Sequence, residues 1–156
     1  MKIRRATINQ RKAQLEFVTY SGQIYPLPFS RLSPTPTAHN KVVTLAVDPE
    51  LAREAATYTL QSGDEGTVHI EQVLDYNQDP SYMAEILVHK LTVEAQHRVN
   101  DAGLSRRELA RRLQTSLPQL YRLLDPTNTS KSLTQLVALL HALGCEVDLV
   151  IKPRAA

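Results

Sequence analysis

The sequence has little that would mark it for secretion, a membrane or a metal. Its single cysteine, Cys145, excludes an intramolecular disulfide. A lone Cys at the head of a strand-like run is expected to be a small apolar side chain rather than a nucleophile. No apolar stretch approaches the roughly 18 residues that a bilayer span needs, and MKIRRATINQ has no apolar core behind its charges, so a soluble, cytoplasmic protein is expected. GxSxG, HExxH, a Gly-rich phosphate loop and a CxxC pair are all missing. His141 and Cys145 stand four residues apart, but a metal site takes three or four ligands, and His39, His69, His89 and His97 are scattered. The expectation is a protein that is not an enzyme and needs no cofactor or metal. The adjacent carboxylates Asp64 and Glu65 fall in a turn, where solvated charge is the simpler account.

What is present is a change of period along the chain. With 156 residues, 42% of them hydrophobic, there is material for one core or two small ones. Up to Asp79 the apolar residues alternate. Leu15, Phe17 and Thr19 interleave with Glu16, Val18 and Tyr20, and Ser21-Gly22 before Ile24-Tyr25 predicts a hairpin in which Gly supplies a positive φ. Pro26 and Pro28 stop that pairing or confine it to a sheet edge. Residues 31–41 form a Pro-rich polar loop, 42–47 a β-branched strand, and 50–55 a short helical piece. Residues 57–60 and 67–70 flank SGDEG as a second hairpin. The pattern predicts an α+β chain: a small antiparallel β domain over 1–79, then an all-α domain over 80–156 that ends in a strand.

From Asp79 the period becomes helical. Asp79-Pro80 opens a helix with the apolar stripe Met83, Ile86 and Leu87; Thr92 predicts the cap of another, which Gly103 closes. Ser105 three residues before Glu108, Ser116 before Gln119 and Ser132 before Gln135 are capping boxes, so helices are expected from about Arg106, Leu117 and Leu133. Pro118 suits the first turn of the second, and Gln114-Thr115 leave room only for a sharp turn between the first two. Leu109, Ala110 and Leu113 then share one face, with Arg106, Arg107, Arg111 and Arg112 over the rest. On the next helix Leu120 and Leu123 face inward, leaving Leu117, Gln119, Tyr121 and Arg122 outward. Past Gly144, Cys145, Val147, Leu149 and Ile151 alternate with Glu146, Asp148, Val150 and Lys152, a period of two. A strand there must pair either with the N-terminal sheet or with its copy in a second subunit.

These boxes, the Leu109-Ala110 step, the turn, and a final helix ending in Leu143-Gly144 resemble the Xre/Cro class of helix-turn-helix proteins, the lambda-repressor-like fold, over about residues 91–151. The resemblance implies that Arg106, after the first cap, holds a phosphate. It also implies that Ser116, Leu117, Pro118 and Gln119 open a recognition helix at about 117–124, with Leu117 standing where the class commonly has Gln or another polar residue. The first 79 residues are similar to small β domains of unknown function that precede such modules in some bacterial proteins. Homodimers on double-stranded DNA are usual in the class.

Charge is segregated in keeping with that picture. Residues 97–131 carry seven Lys/Arg against three Asp/Glu, whereas 51–96 carry two against eight. A basic block over the two candidate helices is the footprint expected of phosphate neutralisation. The expectation is a transcriptional regulator with Arg106, Arg107, Arg111 and Arg112 on phosphates and Leu117, Gln119, Tyr121 and Arg122 at base edges. Two alternatives stand beside it. One is an antitoxin whose N-terminal domain binds a toxin; the other is an interaction module of the same fold that has lost DNA binding, for which Leu117 argues.

Overall fold

The computed structural model describes residues 1–155 and divides the chain into two compact units, Met1–Met83 and Ala84–Ala156. It is α+β: two three-stranded antiparallel sheets and five α-helices among the described residues. None of those helices is long and apolar enough to cross a membrane.

The first unit is built twice from one pattern. Strands β1 (Ile3–Asn9), β2 (Gln14–Thr19) and β3 (Ile24–Pro28) form one sheet, followed by a single 3₁₀ turn at Phe29–Arg31. Strands β4 (Val42–Val47), β5 (Ala55–Leu60) and β6 (Glu65–His69) form the other, followed by helix α1 (Ile70–Asn77). The pairs Gln14↔Pro28, Phe17↔Tyr25 and Val18↔Ile24 recur, each number raised by 41, as Ala55↔His69, Tyr58↔Gly66 and Thr59↔Glu65. Both first strands carry a bulge at the same place, between Ile3 and Arg5 and between Val42 and Thr44. The amide of Phe29 donates to the carbonyl of Ala13 at 2.9 Å, and that of Ile70 to Glu54 at 2.8 Å. Such agreement in register, bulge and closing bond makes the unit an internal repeat of a β-meander. Between the two copies of the turn only the Ser-Gly pair is kept, at Ser21-Gly22 and Ser62-Gly63.

Ile3, Leu15, Phe17, Tyr58, Leu60 and Val73 are fully enclosed in one core that draws on both sheets and α1. Its two polar ends are partnered. Tyr58 donates its hydroxyl to the carbonyl of Pro34 at 2.8 Å, and Tyr25 donates its one proton to Asp79 Oδ2 at 2.8 Å with the Gln23 side chain also against its oxygen. Burial, with the Asp79 carboxylate beside it, pushes the Tyr25 phenol up to about 12. Gly66 lies beneath the ring of Tyr58, and a Cβ there would sit 2.3 Å from its hydroxyl, so only glycine fits.

Several expectations need correction in this unit. β1 breaks the alternation that marks a strand because its bulge leaves both Arg4 and Arg5 exposed. The helical piece at 50–55 is a turn. Asp48 Oδ1 accepts from the amides of Glu50 and Leu51 at 2.8 and 3.3 Å, Ala52 and Arg53 take positive φ, and Ala55 already belongs to β5. The strand expected to reach residue 70 gives way to α1, capped by His69 with Gln72 reaching back to it. Pro26 and Pro28 sit on an edge strand, as expected.

Helix α2 (Pro80–Ala102) crosses the boundary between the units. Asp79 caps it through the amide of Tyr82 at 3.0 Å. It is one helix where two were expected. Thr92 is not a cap: its hydroxyl donates to the carbonyl of Val88 at 2.8 Å, which lets a short polar residue sit inside a helix. The second unit then holds α3 (Arg106–Arg112), α4 (Leu117–Leu124) and α5 (Leu133–Ala142) around Ala95, Val99, Leu109, Leu120, Leu139 and Leu140. α5 ends at Gly144, φ +75°, with Gly144 N–H on His141 and Cys145 N–H on Leu140. The terminal strand expected after it is absent. Among the described residues no backbone group of 146–151 pairs with another backbone group.

Candidate nucleic-acid interface

α3, a turn and α4 carry every residue expected to contact DNA, and their ends are set by short-range bonds. Ser105 Oγ accepts from the Glu108 amide at 3.1 Å and Ser116 Oγ from the Gln119 amide at 3.3 Å. Between them Gln114 takes φ +52° and the amides of Gln114 and Thr115 return to the carbonyls of Arg111 and Ala110, closing α3 in the way a glycine usually does. The reciprocal halves of both boxes are unused. Of the three serine boxes, that of Ser132 and Gln135 alone is complete.

Where the Glu108 side chain goes decides which arginines are free. Its carboxylate accepts from Arg111 at 2.8 and 3.0 Å and from Arg112 at 3.1 Å, and those two guanidiniums hold it well down, at about 2. Arg111 and Arg112 are thus partly neutralised by one acid, although pairs this exposed are weak and can re-form elsewhere. The side chains of Arg106, half-buried, and of Arg107 and Arg122, exposed, have no hydrogen bond or ion pair among the described residues.

On α4, Leu120 and Leu124 are buried while Pro118, Gln119, Tyr121 and Arg122 are exposed. At 3.6 residues per turn those four share an arc of roughly 160°. Leu117 departs from expectation: it is half-buried and packs on the helical core, because an apolar side chain in the first turn gains more from that contact than from water. The amide of Gln119 is not turned back to Ser116, and it lines an open cleft of about 420 Å³ with Leu113, Thr115, Leu123, Gln135 and Ala138. Ser116 caps, and its hydroxyl is exposed.

The far end of α4 is pinned by side chains that the sequence reading passed over. The carbonyls of Arg122, Leu123, Leu124 and Asp125 accept, in order, from Asn128 at 3.3 Å, Lys131 at 3.0 Å, Gln96 at 2.8 Å and Lys131 again at 2.6 Å. Lys131 spends its third proton on Thr92 Oγ1 at 2.7 Å and is buried with all three in use. Burial lowers its pKa, and the nearby Asp125 charge opposes that shift. A lysine soon after a helix end is the usual signal for such a cap, but it was hidden in a loop of polar residues.

Among the described residues no three His, Cys, Asp or Glu side chains gather as a metal site would need, and every buried side-chain N or O has a partner. No family model, no curated protein and no solved structure matches the chain.

Proposed function

We propose that the chain is a sequence-specific regulator that binds double-stranded DNA, with α4 in the major groove. The observation that carries this reading is the exposed arc of Gln119, Tyr121 and Arg122 on a helix whose last three carbonyls, with that of its C-cap Asp125, are tied down from outside it. A reading surface must be held rigidly if base contacts are to discriminate. Arg106 and Arg107 supply cations not already spent on an acid, and their role is to position the protein on phosphates. Leu117, the residue that favoured a module without DNA binding, is occupied in packing and so loses that force.

Selection from a random DNA pool, followed by anisotropy titrations at several salt concentrations, tests the reading. Arg106→Ala should weaken every sequence alike and lower the salt slope by about one. Gln119→Ala should relax preference at one base pair by about 1–3 kcal/mol, since the free amide can pair bidentately with adenine. Glu108→Gln should raise affinity for all sequences by releasing Arg111 and Arg112. A pool that yields no enriched sequence, with no retention on DNA at low salt, would sink the proposal.

A further inference from the structure

The segment after Gly144 has the pattern of a strand and none of its bonds. Val147, Leu149, Val150 and Ile151 are 40%, 73%, 74% and 84% exposed. Four apolar side chains in five residues, above a backbone that among the described residues bonds to no other backbone group and whose Leu149 amide is met by the neighbouring Asp148 Oδ1 at 2.8 Å, make a surface prepared for another strand.

The charges around it say which strand. Glu146 and Asp148 lie in its first half and Lys152 and Arg154 in its second. A parallel copy would set like charge on like. An antiparallel copy sets each acid against a base, and one register satisfies all four: with Val150 opposite Val150, Asp148 meets Lys152 and Glu146 meets Arg154. That same register sets Leu149 opposite Ile151 and Val147 opposite Pro153 on the other face. Sliding the axis to Leu149 puts Asp148 opposite Val150, and sliding it to Asp148 puts that carboxylate against its own copy. We infer that residues 146–154 of two copies of this chain pair as an antiparallel two-stranded ribbon with its axis at Val150, making the protein a homodimer. Such a ribbon alone is marginal in water, and the exposed Leu133 and Val137 of α5 offer its apolar face something to cover. The inference does not depend on DNA binding.

Charge swapping on the full chain tests it, because the segment is exposed and its substitution leaves both cores intact. By sedimentation, the original chain should be a dimer. Glu146→Lys with Asp148→Lys should be monomeric with unchanged circular dichroism, and so should Lys152→Glu with Arg154→Glu. The dissociation constant should rise at least about ten-fold in each. Mixing the two should restore a dimer that contains one of each. In a Cys145→Ser background, Val150→Cys should form a disulfide-linked dimer on oxidation. Val147→Cys should not, its copy lying six residues away in register, about 20 Å. A monomeric original chain, dimers that ignore the charge reversals, a mixture that stays monomeric, or linkage at 147 and not at 150 would each overturn the inference.

Discussion

The two units are held by different kinds of bond. In Met1–Met83 the decisive contacts join residues far apart in sequence: Tyr25 to Asp79, Tyr58 to Pro34, Arg53 to the carbonyls of Ile3 and Arg4. In the helical unit most ends are closed within three to five residues by Ser105, Ser116, Ser132 and Gly144, and Lys131 and Gln96 are the long-range exceptions. The difference teaches where each unit is fragile. A meander fails when one cross-strand fit fails, whereas a helical unit loses stability in small steps until its few distant ties are cut.

The most damaging single change should therefore lie in the sheets. Gly66→Ala drives a Cβ to 2.3 Å from a tyrosine whose ring is fully buried and whose hydroxyl is fixed on Pro34. Overpacking of that kind should cost about 3 kcal/mol by urea unfolding. Gly63→Ala, with positive φ but open space around it, should cost about 1 kcal/mol. Equal effects would mean that the Tyr58 fit is not what limits the meander.

Next comes the buried lysine among the long-reaching helical ties. Lys131→Met leaves the carbonyl of Leu123 without its donor and that of Asp125 with the Asn128 amide alone, and should cost about 2 kcal/mol. It should also blunt sequence preference on DNA more than Arg106→Ala does, since α4 loses its anchor. A loss below about 0.5 kcal/mol would remove Lys131 from the comparison.

A pH titration sharpens the other side. The Tyr82 amide and then the Tyr25 hydroxyl hold Asp79 below its ordinary 3.8, so the native state binds its proton less readily than the unfolded chain. The stabilisation is complete above 3.8 and is lost as pH falls through that value towards the native one. Asp79→Asn, which keeps a capping oxygen, should remove that acid-dependent component, and Asp79→Ala should cost about 1 kcal/mol at neutral pH. A stability profile unchanged below pH 5 would show that the cap carries no charge effect.

The smallest expected effect is a gain. Gln114 closes α3 at φ +52°, a conformation glycine takes without strain, so Gln114→Gly should raise stability by about 0.5–1 kcal/mol in thermal melts. A loss instead would mean that the Gln side chain stabilises the turn in some other way.

The contrast between the units also explains what could be read in advance. α3, α4 and α5 begin at Arg106, Leu117 and Leu133, as their serines indicate. β1 was obscured by a bulge and α1 by a histidine cap on the last residue of a strand. The repeat was obscured because two meanders with the same register share almost no residues. In the candidate site, Arg106, Arg107, Gln119, Tyr121 and Arg122 could be named from helical spacing. The pairing of Arg111 and Arg112 on Glu108 and the inward turn of Leu117 could not.

What the sequence by itself determined is what a few neighbouring residues govern: where the serine-capped helices start, where Gly103 and Gly144 end theirs, which faces are apolar, and which block is basic. Those follow from local backbone geometry and periodicity, and no distant partner can change them cheaply. Only the tertiary structure decided that Thr92 lies inside a helix rather than at its head, that Lys131 reaches 39 residues back to it, and that Gly66 must stay bare beneath Tyr58. It also decided that, among the described residues, the last alternating segment makes no ladder bond. Each of these depends on which groups meet after the chain has folded, and residues that meet across such distances leave no period in the sequence to announce them.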